Sequence, residues 1–153
     1  MMSWQDYFRS IAHQVKLKSK DRNTQIGAVI VGPDREIVTT GYNSFPRGID
    51  DYNNERQERP EKYYWMEHAE RNAIYNAARI GVSTKNCTMY LTCGMPCADC
   101  ARAIINAGIE KIVIEPTREF SAKDVRWKEH ELRAISMFIE ARIKVVYYGD
   151  KDE

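Results

Sequence analysis

A chain of 153 residues in which 23 Lys and Arg meet 22 Asp and Glu lacks the basic excess of a strong nucleic-acid binder. It is long enough for one domain with a substantial core, and residues 1–153 are taken as a single domain. No apolar run approaches the roughly 20 residues of a membrane span, and Met1-Met2-Ser3-Trp4-Gln5-Asp6 has no apolar signal core, so a cytoplasmic protein without membrane or nucleic-acid partners is expected.

In chain order, Trp4, Tyr7, Phe8, Ile11, Ala12 and Val15 recur at helical spacing and predict an amphipathic packing helix ending near Lys20. Residues 26–31 and 36–42 flank Gly32-Pro33-Asp34 and predict a hairpin. Residues 44–67 are polar, carry Pro46, Gly48 and Pro60, and hold no period. A loop of that length is a functional or a disordered segment, and its aromatic end, Tyr63-Tyr64-Trp65, is equally consistent with packing on the core. Ala69, Ala73, Ile74, Ala77 and Ala78 predict a helix stopped by Gly81, followed by a buried strand over 87–92. A third helix with Ala101, Ile104, Ile105 and Ala107 inward ends at Gly108. A strand over 111–114, a helix over 128–141 with Leu132, Ile135 and Ile139 inward, and a strand over 144–148 complete the order αββαβαβαβ. That order predicts an α/β fold of three layers, α/β/α, with a mixed five-stranded sheet and helices on both faces. Ligands of open α/β sheets gather at one side, where helix N-termini point.

Two stretches carry the chemistry. Cys97 and Cys100, three positions apart behind Pro96, share one face of a helix start. Their sulfurs can stand about 3.8 Å apart, as tetrahedral zinc requires. A helix N-terminus favours thiolate over thiol. His68 supplies a third ligand and leaves a fourth position for water, the arrangement of a catalytic site. Glu70 is the candidate proton carrier. Residues two apart diverge in mid-helix, so His68 and Glu70 work together only if the helix begins there. A bare C-x-x-C is also read as half of a structural zinc site or a redox pair, whereas H-x-E followed by P-C-x-x-C resembles the zinc-dependent nucleobase deaminases. Cys87 and Cys93 are expected as buried thiols of a reducing compartment.

The resemblance extends further. Ser19-Lys20-Asp21-Arg22-Asn23-Thr24-Gln25-Ile26-Gly27-Ala28, Gly41-Tyr42-Asn43-Ser44-Phe45-Pro46-Arg47-Gly48 and His68-Ala69-Glu70-Arg71-Asn72-Ala73-Ile74 are similar to the deoxycytidylate (dCMP) deaminase family over most of residues 19–148. The resemblance implies a cytidine-deaminase-like fold, one catalytic zinc, hydrolysis of dCMP to dUMP and ammonia in supply of thymidylate synthesis, and a homohexamer. It also implies activation by dCTP with magnesium and inhibition by dTTP. Carried onto this sequence, His68, Cys97 and Cys100 match the zinc ligands and Glu70 the proton shuttle between water, N3 and the departing amine. Asn43 matches the residue holding the sugar 3′ hydroxyl, the Ala69 amide the donor to the pyrimidine carbonyl, and Thr24 a position lining the substrate. Tyr42, Ser44, Arg47 and Gly48 fall in the effector region, where Ser44 stands in place of a frequent glycine.

The 5′ phosphate needs an anchor, for which Arg22 and Arg118 are candidates, each also consistent with a solvated surface charge. His13 and His130 are read as ordinary surface or packing residues. Two other classes share the zinc motif. A tRNA adenosine deaminase or single-strand editor would add a basic, aromatic track, and a zinc-stabilised binding module would have a closed four-ligand site.

Overall fold

The computed structural model describes residues 1–116 and 125–151. Five strands, β1 (Gly27–Val31), β2 (Ile37–Tyr42), β3 (Thr88–Leu91), β4 (Lys111–Ile114) and β5 (Lys144–Tyr147), form one sheet in the order β2-β1-β3-β4-β5. β1 runs antiparallel to both β2 and β3, with Ala28 opposite Gly41 on one side and Leu91 on the other. β3, β4 and β5 are mutually parallel, with Met89 opposite Ile112 and Ile112 opposite Val145. The sheet is therefore mixed, as the element order predicts.

The helices are α1 (Trp4–Val15), a single turn α2 (Lys62–Trp65), α3 (Ala69–Ile80), α4 (Ala98–Asn106) and α5 (Val125–Glu140). Strand side chains alternate between faces. Val29, Val31, Tyr90, Val113 and Val146 meet Phe8 and Ala12 of α1 on one face. Ala28, Ile30, Met89, Leu91, Ile112 and Ile114 meet α3, α4 and α5 on the other. All five β1 residues are buried, which explains their unbroken apolar run: a strand covered on both faces has no polar side to show. Right-handed crossovers between parallel strands laid down in one direction put α4 and α5 on the same face.

Three expectations need correction. The first helix ends at Val15 and passes into a 3₁₀ turn over Lys16–Lys18, with Trp4 and Tyr7 48% and 41% exposed. In α5 the inward residues are Ala134 and Phe138, flanked by Ile135. Leu132 and Ile139 are 56% and 73% exposed, because apolar residues lie around much of this helix and spacing alone did not choose the stripe. The 44–67 stretch is neither structureless nor detached. It holds a 3₁₀ turn (Asn54–Gln57) and α2, and Ser44 pairs with Glu67 at its two ends.

Edge strand β2 fixes where α3 begins. Its outward carbonyls accept from side chains one helical turn apart: Asn72 Nδ2 donates to Tyr42 O (2.9 Å) and Asn76 Nδ2 to Thr40 O (2.8 Å), covering an otherwise open edge. Contact is so close at Gly41 that a Cβ there would lie 2.3 Å from Ala73 N and 2.6 Å from Ala69 O. The glycine of Gly-Tyr-Asn is thus a packing requirement that sets the helix carrying Glu70. At its far end α3 stops where Gly81 adopts φ 87°, a left-handed cap.

Candidate metal centre

Two helix starts converge on one point. His68 is the residue before α3, with extended backbone angles, so its imidazole leaves the chain before the helix begins and Glu70, two residues on, can face the same space. Cys97 is the corresponding residue of α4, and its Sγ accepts from the Cys100 amide at 3.4 Å. His68 Nδ1 lies 3.6 Å from Cys97 Sγ and 3.4 Å from Cys100 Sγ. All three donor atoms fall within 4.8 Å of one another. The N···S edge of a tetrahedral zinc site with ordinary bond lengths is about 3.5 Å, so the spacing and the donor types both fit zinc.

The electrostatics agree with a site built for a cation. Cys97 is pushed down to about 4, first by the hydrogen bond from Cys100 and then by His68, against the opposing effect of burial. Cys100, hydrogen-bonded to that thiolate and buried, is pushed up. Metal ligation takes both sulfurs as thiolates, so binding releases the protons they carry. His68 is raised, chiefly by its hydrogen bond with Cys97. Glu70 is 3% exposed. Burial raises its carboxyl above the ordinary range, against the pull of His68. Cys93 stays a thiol, held far above its ordinary value by burial first and the Glu70 charge second. It does not belong to the donor cluster. Cys87 is buried, as expected, whereas Cys93 is only partly buried at the surface of the core.

Ala69 is buried, and as the first residue of α3 its amide has no acceptor within the helix. Asn43 is 5% exposed, and its side chain is fully engaged. Oδ1 accepts from Ser19 Oγ (2.6 Å) and the Ile26 amide (2.9 Å), while Nδ2 donates to Thr24 O (2.7 Å) and, more weakly, to Asp21 Oδ2 (3.4 Å). In this structure it is the clamp of the 19–26 loop. Thr24 is exposed, with its amide on Asp21 Oδ1.

Arg22 is exposed and lines an open depression of about 750 Å³ with Lys16, Lys20, Asn23 and Tyr52. None of the three metal donors, nor Glu70, lines it. Arg47 donates to Asn76 Oδ1 at 2.8 Å on the surface, Gly48 is exposed with φ 87°, and Tyr42 and Ser44 are tied through their backbones to Asn72 and Glu67. Arg118 lies outside the described residues.

Several groups around the site escaped the sequence reading. Glu67 Oε1 accepts from the His68 amide (3.0 Å) and from Arg71 Nε (2.6 Å). Arg71 Nη1 also stands 3.8 Å from Oδ2 of Asp99, which lies between the two cysteines, and Asp99 pairs with Arg102. Arg71 thus spans the two ligand-bearing turns. Lys62 of α2 reaches Asp21 at 2.7 Å in a largely buried pair, and Gln57 accepts from the Arg22 amide and donates to Lys20 O. The i, i+4 spacing of Glu67 and Arg71 and the i, i+3 spacing of Asp99 and Arg102 were usable signals; the contacts of Lys62 and Gln57 join residues more than thirty positions apart.

With this geometry in place, the comparisons are specific. The family model for the cytidine and deoxycytidylate deaminase zinc-binding region matches residues 2–115. This chain belongs to that family. It is 37% identical over 117 residues to the deoxycytidylate deaminase of Homo sapiens, covering 73% of this chain but only 64% of that protein. An uncharacterised deaminase encoded 3′ of luxG in Aliivibrio fischeri is 37% identical over 145 residues, 94% of this chain and 92% of that one. Among solved structures, dCMP deaminase from the cyanophage S-TIM5 in complex with dCMP and dUMP superposes with a TM-score of 0.71 at 20% identity, over 96% of this chain and 99% of that chain. It shares the fold: the mixed five-stranded sheet with its helices is the cytidine-deaminase-like architecture. No helix among the described residues is long and apolar enough to cross a membrane.

Proposed function

We propose that this chain is a zinc-dependent hydrolase that deaminates dCMP to dUMP and ammonia. The observation that carries the reading is the open three-donor cluster of His68, Cys97 and Cys100 with a buried carboxyl, Glu70, beside it. Zinc held there supplies Lewis acidity and lowers the pKa of water toward 7. The chain's own residues do the rest. Glu70, made more basic by burial, accepts a proton from the attacking water, places it on N3 of the base and carries a second to the departing amine. The Ala69 amide, at the positive end of α3, is placed to hold the pyrimidine carbonyl. The dCMP preference is supported by relatives named deoxycytidylate deaminase. The candidate place for the 5′ phosphate is the open depression lined by Lys16, Lys20 and Arg22 together with Asp51 and Asp21, of which Asp21 is paired with Lys62. Arg22 is the phosphate anchor in this reading, and Asn43 and Thr24 shape the loop that presents it.

The same reading includes a homohexamer, activation by dCTP with magnesium through the loop of Tyr42, Ser44, Arg47 and Gly48, inhibition by dTTP, and a role in supplying dUMP for thymidylate. The test is deamination by zinc-replete protein of cytosine, deoxycytidine, dCMP, dCTP and a deoxycytidine oligonucleotide, each with and without dCTP plus magnesium. Turnover of dCMP above the other substrates is expected. Turnover of the oligonucleotide or the nucleoside with dCMP inert would overturn the substrate while leaving the zinc chemistry standing.

A further inference from the structure

We propose that His130 is a positioning residue of the metal centre, holding the first turn of α4 through its Nδ1. The Ala98 amide donates to His130 Nδ1 at 3.1 Å. Ala98 is the first residue of α4, so its N–H cannot be satisfied within the helix. It is also buried, so leaving it unpaired carries the full desolvation cost. The residue in the capping position is Cys97, whose sulfur is a weak acceptor, already serves the Cys100 amide and is one of the metal donors. A side chain in that position reaches the second or third amide of a helix and not the first, so the Ala98 amide needs an acceptor from elsewhere. It comes from another helix, α5.

His130 is held for this role. It sits on α5 one and two helical repeats before Ala134 and Phe138, both fully buried in the core that also contains Ala101 and Ile104 of α4. The imidazole therefore stands on the stripe of α5 that faces α4. A nitrogen that accepts must be unprotonated, so the hydrogen of the neutral ring is on Nε2. From the outer side the same turn is tied through Asp99 to Arg102 and Arg71. The turn between the two cysteines is thus fixed from both sides. His130 lies beyond residue 115, where the family match ends.

The inference rests on the metal reading of the site and not on the identity of the substrate. The test uses the full zinc-loaded chain and three variants: His130→Ala, His130→Asn and His130→Gln. Zinc affinity is read by competition with a chromophoric chelator, and ligand geometry by the d–d spectrum of the cobalt-substituted protein. Asparagine places its amide oxygen where Nδ1 stands, whereas glutamine reaches toward Nε2. We expect His130→Ala to weaken zinc binding about tenfold, the scale of groups that orient metal ligands, and to shift the cobalt spectrum. His130→Asn should restore both and His130→Gln neither. The idea is overturned if His130→Ala binds zinc like the parent chain, or if glutamine rescues in place of asparagine. Equal loss of thermal stability in all three with unchanged affinity and spectrum would also overturn it, since that is the mark of packing alone. Should His130→Ala not fold, the asparagine and glutamine pair still decides. Failure of the parent chain to bind one zinc would refute the metal reading itself, and inertness toward dCMP would touch neither measurement.

Discussion

The ends of α3 and α4 and the loop pair formed by residues 19–26 and 44–67 are built on opposite principles. At the helix ends each donor is set by its own few neighbours: an extended residue, then a helix start. Cys97, Cys100, His68 and Glu70 need only two local motifs and a sheet that brings them together. In the loops, short turns such as that of Asp21 with the Asn23 and Thr24 amides are held in place from far along the chain. The 19–26 segment takes its shape from Asn43, Gln57 and Lys62, all distant in sequence. The first region holds its chemistry in residue types at fixed spacing, and the second in polar contacts that exist only after folding.

Breaking the first region should give the largest effects. Cys100→Ala removes one of three protein ligands and should lose the zinc equivalent and activity together, measured by metal analysis after dialysis. A full equivalent of zinc with activity would refute the assignment. Glu70→Gln separates metal from proton transfer. Zinc should stay while turnover falls about 10²- to 10⁴-fold, or ~3–5 kcal/mol in the barrier. Near-normal turnover of the metal-loaded variant would exclude Glu70 as the proton carrier.

Breaking the second region should cost stability and substrate affinity first and leave the metal in place. Lys62→Met strands the Asp21 carboxylate, 4% exposed in its side chain; losing one partner of so buried a pair costs about 3 kcal/mol. Burial alone would raise Asp21, but Lys62 and the Asn23 and Thr24 amides outweigh it and hold the carboxyl below its ordinary 3.8. A depressed folded-state pKa means that the stabilisation is present above 3.8 and is lost as pH falls through the folded value. The gap in denaturation midpoint between Lys62→Met and the parent should therefore be full at pH 7 and should narrow below pH 3.8. A gap independent of pH would show that the pair is not its source. With zinc stoichiometry unchanged, KM should rise more than kcat falls.

The same contrast explains what could be read before folding. The strands, their mixed arrangement and the metal donors were legible because period and spacing are local properties. The inward stripe of α5 was not: Leu132 and Ile139 are as apolar as the residues that were buried, and only the neighbouring α4 distinguishes Ala134 and Phe138. His130 looked like a packing residue because its partner is a backbone amide thirty-two positions away. Asn43 was legible as important but not in what it touches, since its bonds close only when the 19–26 loop folds back on it. Arg22, the proposed phosphate anchor, lies on the same loop, and as one arginine among many it carries no spacing signal.

The smallest change tests the seam between the two regions. Ser44 exchanges backbone hydrogen bonds with Glu67, its amide to Glu67 O at 3.1 Å and the Glu67 amide to its own carbonyl at 2.8 Å. Glu67 in turn steadies the His68 amide through its carboxylate. These bonds need no side chain, and Ser44 is not among the residues with positive φ. Ser44→Gly should therefore keep the zinc centre intact and cost only about 0.5–1 kcal/mol, the entropic penalty of glycine in an extended segment. Any effect beyond that must come from the hydroxyl. A changed response to dCTP and magnesium at unchanged zinc affinity would assign the side chain to the effector loop. A fall in zinc affinity of tenfold or more would show that the seam transmits strain into His68, and that the two regions are one unit after all.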